Sequence, residues 1–146
     1  MEMLENTNEY LDPFINLKTL LDKKVNQEAG TDFITFVRMV APMLVSDWRM
    51  GRHIEVISDR LKDLEAGKIK RLMVFLPPRS SKSVICSKLF PAWYIGRNPE
   101  HEILTVSHSD QLSSDFGRSV RDVVNTTEFQ KIFRGVALRS DVRAAG

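Results

Sequence analysis

Apolar residues recur every three or four positions in three stretches of the first half of the chain, which are residues 10–21, 33–40 and 54–64. This spacing places the apolar side chains on one face of a helix, so we predict three amphipathic helices there. Pro42 is expected to end the second helix, because proline lacks the N–H group that a helix needs. Gly67 is expected to cap the third.

Two short runs of consecutive apolar residues follow, at 72–76 (Leu-Met-Val-Phe-Leu) and 103–106 (Ile-Leu-Thr-Val). A continuous run bounded by polar turns is typical of a strand covered on both faces in a parallel sheet. Helical spacing returns after each run, at 82–90, where Pro91 is expected to kink or end the helix, and at 110–125, where Ser109 is placed to cap the first turn. About thirty residues separate the two runs, the length of a βαβ unit.

The order of these elements predicts an α/β fold, a parallel sheet flanked by helices with a helical lead-in. We divide the chain into a lead-in at residues 1–30 and the N-terminal part of an α/β domain at residues 31–146. Two strands make a poor sheet. We therefore expect these residues to be the first piece of a longer protein.

Composition narrows the class of protein only a little. The 146 residues carry 21 basic and 19 acidic side chains, a net charge of +2 that gives no strong reason to expect nucleic acid. The longest apolar run is far too short to cross a bilayer, and the single cysteine, Cys86, cannot form an internal disulfide. We expect a soluble intracellular protein with no membrane partner.

The polar turn from Pro77 to Ser83 is the strongest candidate for chemistry. It lies between a predicted strand and the N-terminus of a helix, where unpaired N–H groups and the helix dipole favour an anion. In phosphate-binding loops a lysine reaches the β- and γ-phosphates and the next hydroxyl ligates Mg²⁺, roles that Lys82 and Ser83 fit. The pattern G-x-x-x-x-G-K-[ST] fails at Leu76 and Ser81, however, so the turn taken alone favours an ordinary polar connection with a capping serine.

The surrounding sequence adds a resemblance. Residues 76–83 (Leu-Pro-Pro-Arg-Ser-Ser-Lys-Ser) resemble the Pro-Pro-Arg-x-Gly-Lys-Ser loop of bacteriophage terminase large subunits. Residues 90–99 (Phe-Pro-Ala-Trp-Tyr-Ile-Gly-Arg-Asn-Pro), 103–121 and 53–71 are also similar to segments around that loop. The similarity covers residues 33–146, and its combination of spaced motifs is far more specific than the loop.

The resemblance implies an ATPase domain of the P-loop class, an ATP-driven motor that packs viral double-stranded DNA into a capsid. Lys82 and Arg79 would be the catalytic residues, and Ser83 would hold Mg²⁺. The residues that would contact ATP are Pro78, Arg79, Ser80, Ser81, Lys82 and Ser83.

The implied partners are double-stranded viral DNA, the portal protein, the terminase small subunit and further copies of the chain in a ring on the portal. The implied location is the cytoplasm of an infected bacterium. The acidic motif that places Mg²⁺ and water, and the nuclease domain, are not within these residues, so we expect no sustained ATP hydrolysis from them alone.

One residue departs from the family pattern. Ser81 replaces the glycine before the lysine, and its Cβ disfavours the positive φ that glycine adopts there. The loop is therefore expected to be strained or to bind ATP less tightly. Two other interpretations stay open: another P-loop NTPase such as a helicase-like ATPase, or a degenerate prophage remnant that only binds packaging partners.

Overall fold

All the regular secondary structure of the described residues is helical. The structure of the protein is a computed structural model that describes residues 13–138 and the side chains from residue 15 onward. Its helices are α1 (Pro13–Thr31), α2 (Phe33–Leu44), α3 (Arg52–Glu65), a π-helical segment (Val84–Leu89) that runs directly into α4 (Phe90–Arg97), α5 (Asp110–Val124) and α6 (Thr127–Ile132).

The predicted parallel sheet is wrong for residues 13–138, where no β-strand forms. The runs at 72–76 and 103–106 do not pair with each other, and a strand needs a neighbour to satisfy its backbone N–H and C=O groups. Along 71–76 exposed and half-buried positions alternate, so only one face is covered. Met73 and Phe75 are 78% and 80% exposed, and Leu104 and Val106 are 88% and 80% exposed. The continuous apolar pattern did not mean burial on both faces.

Helix α2 lies at the centre of the core. Its first turn is capped by Asp32, whose carboxylate accepts a hydrogen bond of 3.1 Å from the Thr35 N–H. The residues that follow at helical spacing are fully buried, namely Phe33, Phe36, Val37, Val40 and Ala41. Helix α2 packs against α1, α3, α4, α6 and the π-helical segment. The predicted apolar face of the second helix is thus confirmed as the face that the other helices cover.

Aromatic contacts join the helices around α2. The ring of Phe33 lies 5.2 Å from that of Trp93, and the ring of Phe36 lies 6.3 Å from that of Phe129. The buried indole N–H of Trp93 donates a hydrogen bond of 3.0 Å to the carbonyl of Ala29 at the end of α1. Trp93 therefore packs between helices, not against a sheet.

Both prolines expected to kink or end helices lie inside helical structure. Pro42 lies within the last turn of α2, which continues to Leu44. Pro91 follows the π-helical segment, where the N–H of Phe90 donates to the carbonyl of Ile85 five residues back. Pro91 is the second residue of α4, and because it has no N–H it donates no hydrogen bond to the carbonyls of the preceding turn.

Two helix ends agree with the sequence. The N–H of Leu112 donates to the Ser109 hydroxyl at the start of α5, as the predicted cap requires. Gly67 follows α3 at φ 71°, a conformation typical of the glycine after a helix. The apolar face of the first predicted helix is different, because Leu17 and Leu21 on α1 are exposed and Tyr10 lies outside the described residues. Across residues 13–138 no helix has both the length and the apolar character to span a bilayer.

Candidate nucleotide-binding loop

Nine consecutive residues, 76–84, surround a single open concavity of about 390 Å³. The loop connects the half-buried segment ending at Leu76 to the N-terminus of the π-helical segment. All six residues predicted to contact ATP line this concavity, so the structure brings the whole candidate set together. Its volume lies within the range of about 300–1,000 Å³ that small-molecule sites occupy in proteins.

The loop begins with a tight turn at Pro78 and Arg79. The ring of Pro78 holds its φ near −65°, and Arg79 follows with a φ of 63°. A negative φ followed by a positive φ at the two central residues is the pattern of a type II turn, whose second central position is usually glycine. The sequence predicts a polar turn here but not the positive φ of Arg79, although a proline in the second position of a turn is a recognised signal for a type II turn.

Ser81 adopts the positive φ that the resemblance leads us to expect of a glycine at this position. Its φ is 60°, within the left-handed region. A residue with a Cβ loses about 1–2 kcal/mol there. The carbonyl of Ser81 also accepts a hydrogen bond of 3.1 Å from the Ile85 N–H, the first bond of the helix. Ser81 therefore turns the chain into the helix while carrying the strain that the sequence predicts.

The loop also offers backbone donors. In the part of the chain that the structure describes, no hydrogen bond of normal geometry uses the N–H groups of Ser81, Lys82 or Ser83 as donors. These groups stand at the start of a helical stretch that runs through the π-helical segment into α4. The positive end of the helix dipole is located there, so the site favours an anion.

Two cations border the concavity. Arg79 is exposed and Lys82 is half-buried, and neither forms an ion pair with a carboxylate among residues 13–138. Both charges are therefore available to an anionic ligand.

Cys86 lies near Lys82 on the helical stretch. Burial raises the pKa of Cys86, and the nearby ammonium of Lys82 acts in the opposite direction. The two side chains are four residues apart on the helical stretch, so they share one face. Cys86 itself is half-buried.

The donor set fits a triphosphate better than a free metal ion. The lining offers two cations, backbone N–H groups and serine hydroxyls, but no Asp, Glu or His. Residues 13–138 contain no group of three or more metal-ligating side chains. Mg²⁺ usually binds proteins through carboxylates and substrate phosphates together. The Ser83 hydroxyl therefore fits Mg²⁺ only when the ion arrives with a nucleotide.

The neighbouring histidines do not line the concavity. His53 borders a different groove of about 470 Å³ between α3 and residues 72–76. His108 is exposed just before α5. The sequence contains no local signal for the π-helical segment that follows the loop, and π turns are found frequently beside functional sites.

No known protein family, curated protein or solved structure matches the chain.

Proposed function

We propose that the loop at residues 76–84 binds the triphosphate of Mg-ATP, and that the chain is the ATP-binding part of a DNA-packaging motor like the terminase large subunits. The observation that carries the proposal is that one concavity is lined by Lys82, by Arg79 and by three residues whose N–H groups form no hydrogen bond of normal geometry. The resemblance of residues 76–83 to the terminase loop supports the choice of ATP. ATP would supply the transferable phosphoryl group.

Each side chain has a separate task in this proposal. The Lys82 ammonium would hold the β- and γ-phosphate oxygens, and the Ser83 hydroxyl would be a ligand of Mg²⁺. Arg79 neutralises charge that develops on the γ-phosphate, because a guanidinium presents several donors to anionic oxygens at once. The N–H groups of residues 81–83 hold the remaining oxygens.

Binding without sustained turnover is the expected behaviour of these residues. The lining contains no carboxylate or imidazole to orient an attacking water, and hydrolysis needs a group in that role. In this proposal the working motor also engages double-stranded viral DNA, the portal protein, the terminase small subunit and other copies of itself in a ring. It acts in the cytoplasm of an infected bacterium.

Calorimetric titration with Mg-ATP tests the site. Replacing Lys82 by alanine removes a charged hydrogen-bond donor, whose loss costs about 1.5–3 kcal/mol, so we expect affinity to fall roughly ten- to a hundredfold. Lys88→Ala is a matched control, because Lys88 lies on the same helical stretch but does not line the concavity.

Two outcomes would count against the proposal. One is a wild-type chain that binds no Mg-ATP and whose melting temperature does not rise at millimolar nucleotide, since any ligand of the native state must stabilise it. The other is an equal loss of affinity in Lys82→Ala and Lys88→Ala, which would indicate nonspecific attraction between the nucleotide and a basic surface. Sustained ATP turnover by the wild-type chain, abolished in Lys82→Ala, would refute the expectation of binding without hydrolysis.

A further inference from the structure

The turn at residues 77–80 has few ways to hold itself closed. The backbone bond that closes such a turn runs from the N–H of Ser80 to the carbonyl of Pro77, and here it does not reach normal hydrogen-bond geometry. Arg79 sits at φ 63°, where a side chain is unfavourable. A second hydrogen bond within the turn would therefore help to hold this conformation.

Ser80 provides that bond. Its hydroxyl donates to the carbonyl of Pro77 over 2.7 Å and so links the two ends of the turn. Across residues 76–84 this is the one side-chain hydrogen bond that the structure shows. Ser81 and Ser83, which line the same concavity, use their hydroxyls in no such bond within the described residues. The three serines of the loop are therefore not equivalent.

We propose that Ser80 is a positioning residue for the nucleotide site, whose hydroxyl clasps the turn rather than contacting phosphate. This inference rests on the proposed ATP-binding function. The clasp keeps Arg79 in the left-handed conformation, and the direction of the Arg79 side chain toward the concavity depends on that φ. It also sets the path of the backbone into Ser81 and Lys82. The serine thus acts on ATP through the loop, although the sequence placed it among the residues that contact ATP.

The test compares Ser80→Ala, which removes the hydroxyl, with Ser80→Thr, which keeps it. Ser114→Ala, an exposed serine of α5, is the control. We expect Mg-ATP affinity to fall roughly three- to tenfold in Ser80→Ala, the equivalent of one lost hydrogen bond, and to stay within about twofold of wild type in Ser80→Thr and Ser114→Ala. Hydrogen exchange of the Ile85 amide, which donates to the carbonyl of Ser81, should be faster without nucleotide in Ser80→Ala alone.

A second pair of variants isolates the coupling between Ser80 and Arg79. Glycine adopts a positive φ freely, so the clasp should matter less in an Arg79→Gly background. Adding Ser80→Ala to that background should accelerate exchange of the Ile85 amide by a smaller factor than it does with Arg79 present. Equal acceleration in both backgrounds would overturn the proposed link.

The remaining outcomes separate this inference from the proposed function. Wild-type binding together with unchanged affinity and exchange in Ser80→Ala would overturn the role of Ser80 and leave ATP binding intact. An equal loss of affinity in Ser80→Ala and Ser80→Thr would also overturn it, because the clasp requires only the hydroxyl. A wild-type chain that binds no Mg-ATP would overturn the proposed function, and the positioning role with it.

Discussion

Replacing Ser81 with glycine should stabilise the fold. Ser81 has a φ of 60°, a conformation that penalises a residue with a Cβ by about 1–2 kcal/mol. Glycine escapes that penalty but loses about 0.5–1 kcal/mol more backbone entropy on folding. The difference is a net gain of up to about 1.5 kcal/mol in the free energy of unfolding.

Ser83→Gly supplies a control with the opposite expected sign. Ser83 lies two residues away at φ −66° and ψ −32°, which is helical geometry that any residue adopts. Glycine there carries only the entropic cost, so we expect a loss of about 0.5–1 kcal/mol. Urea unfolding followed by tryptophan fluorescence measures both variants, and an unchanged dependence on urea concentration shows that the same transition is compared. If Ser81→Gly loses as much stability as Ser83→Gly, the argument from backbone strain is wrong.

Three further predictions concern the core, the thiol and a helix cap. Gly96→Ala puts a Cβ 2.5 Å from the buried ring of Phe133, so we expect the free energy of unfolding in urea to fall by about 1–3 kcal/mol. In the control Gly117→Ala, the new Cβ meets open space on α5, and the free energy of unfolding should rise by about 0.5–1 kcal/mol. Lys82→Ala should slow the alkylation of Cys86 by iodoacetamide at pH 8. Burial raises the pKa of the thiol, and without the Lys82 ammonium nothing from that side chain opposes the rise. An unchanged rate would show that Lys82 does not act on the Cys86 thiol. Burial alone would raise the pKa of Asp32, but its lysine and threonine partners lower it below 3.8 overall. Its stabilising contribution is therefore complete above that value and is lost as pH falls through the lowered pKa, so Asp32→Asn should flatten this acid limb of the stability curve measured by denaturant titration.

The helices that the sequence predicts well are those whose signals are local. Helix α3 has its apolar residues at regular helical spacing and a glycine just beyond its end, and Ser109 caps α5 through a hydrogen bond to Leu112 three residues later. Each signal depends on residues within about one turn of one another, so it survives whatever the rest of the chain does.

The prediction of a sheet was wrong because it did not rest on a local signal. A run such as 72–76 shows that a segment can extend and bury side chains, but pairing depends on a distant segment coming alongside. In the described structure Leu72 and Val74 face a groove, and Met73 and Phe75 remain exposed on the other side. Composition within the run cannot separate these cases.

The candidate site was likewise predicted only in its local features. The juxtaposition of Lys82 with the serines around it follows from their adjacency in the chain, and the positive φ of Ser81 follows from the glycine that it replaces. The clasp from Ser80 to Pro77 was missed, because several serines in the loop could have made it. The π-helical geometry at 84–89 was missed as well, since its residues have ordinary helical spacing.

The uncovered apolar side chains at Met73, Phe75, Leu104 and Val106 have a practical consequence for anyone handling this protein. Extended segments that expose apolar side chains and unpaired backbone groups tend to associate with identical molecules. Solutions should become turbid as concentration and ionic strength rise, with charge replacements such as Phe75→Lys delaying the onset. Purification in dilute, low-salt buffer is the corresponding remedy.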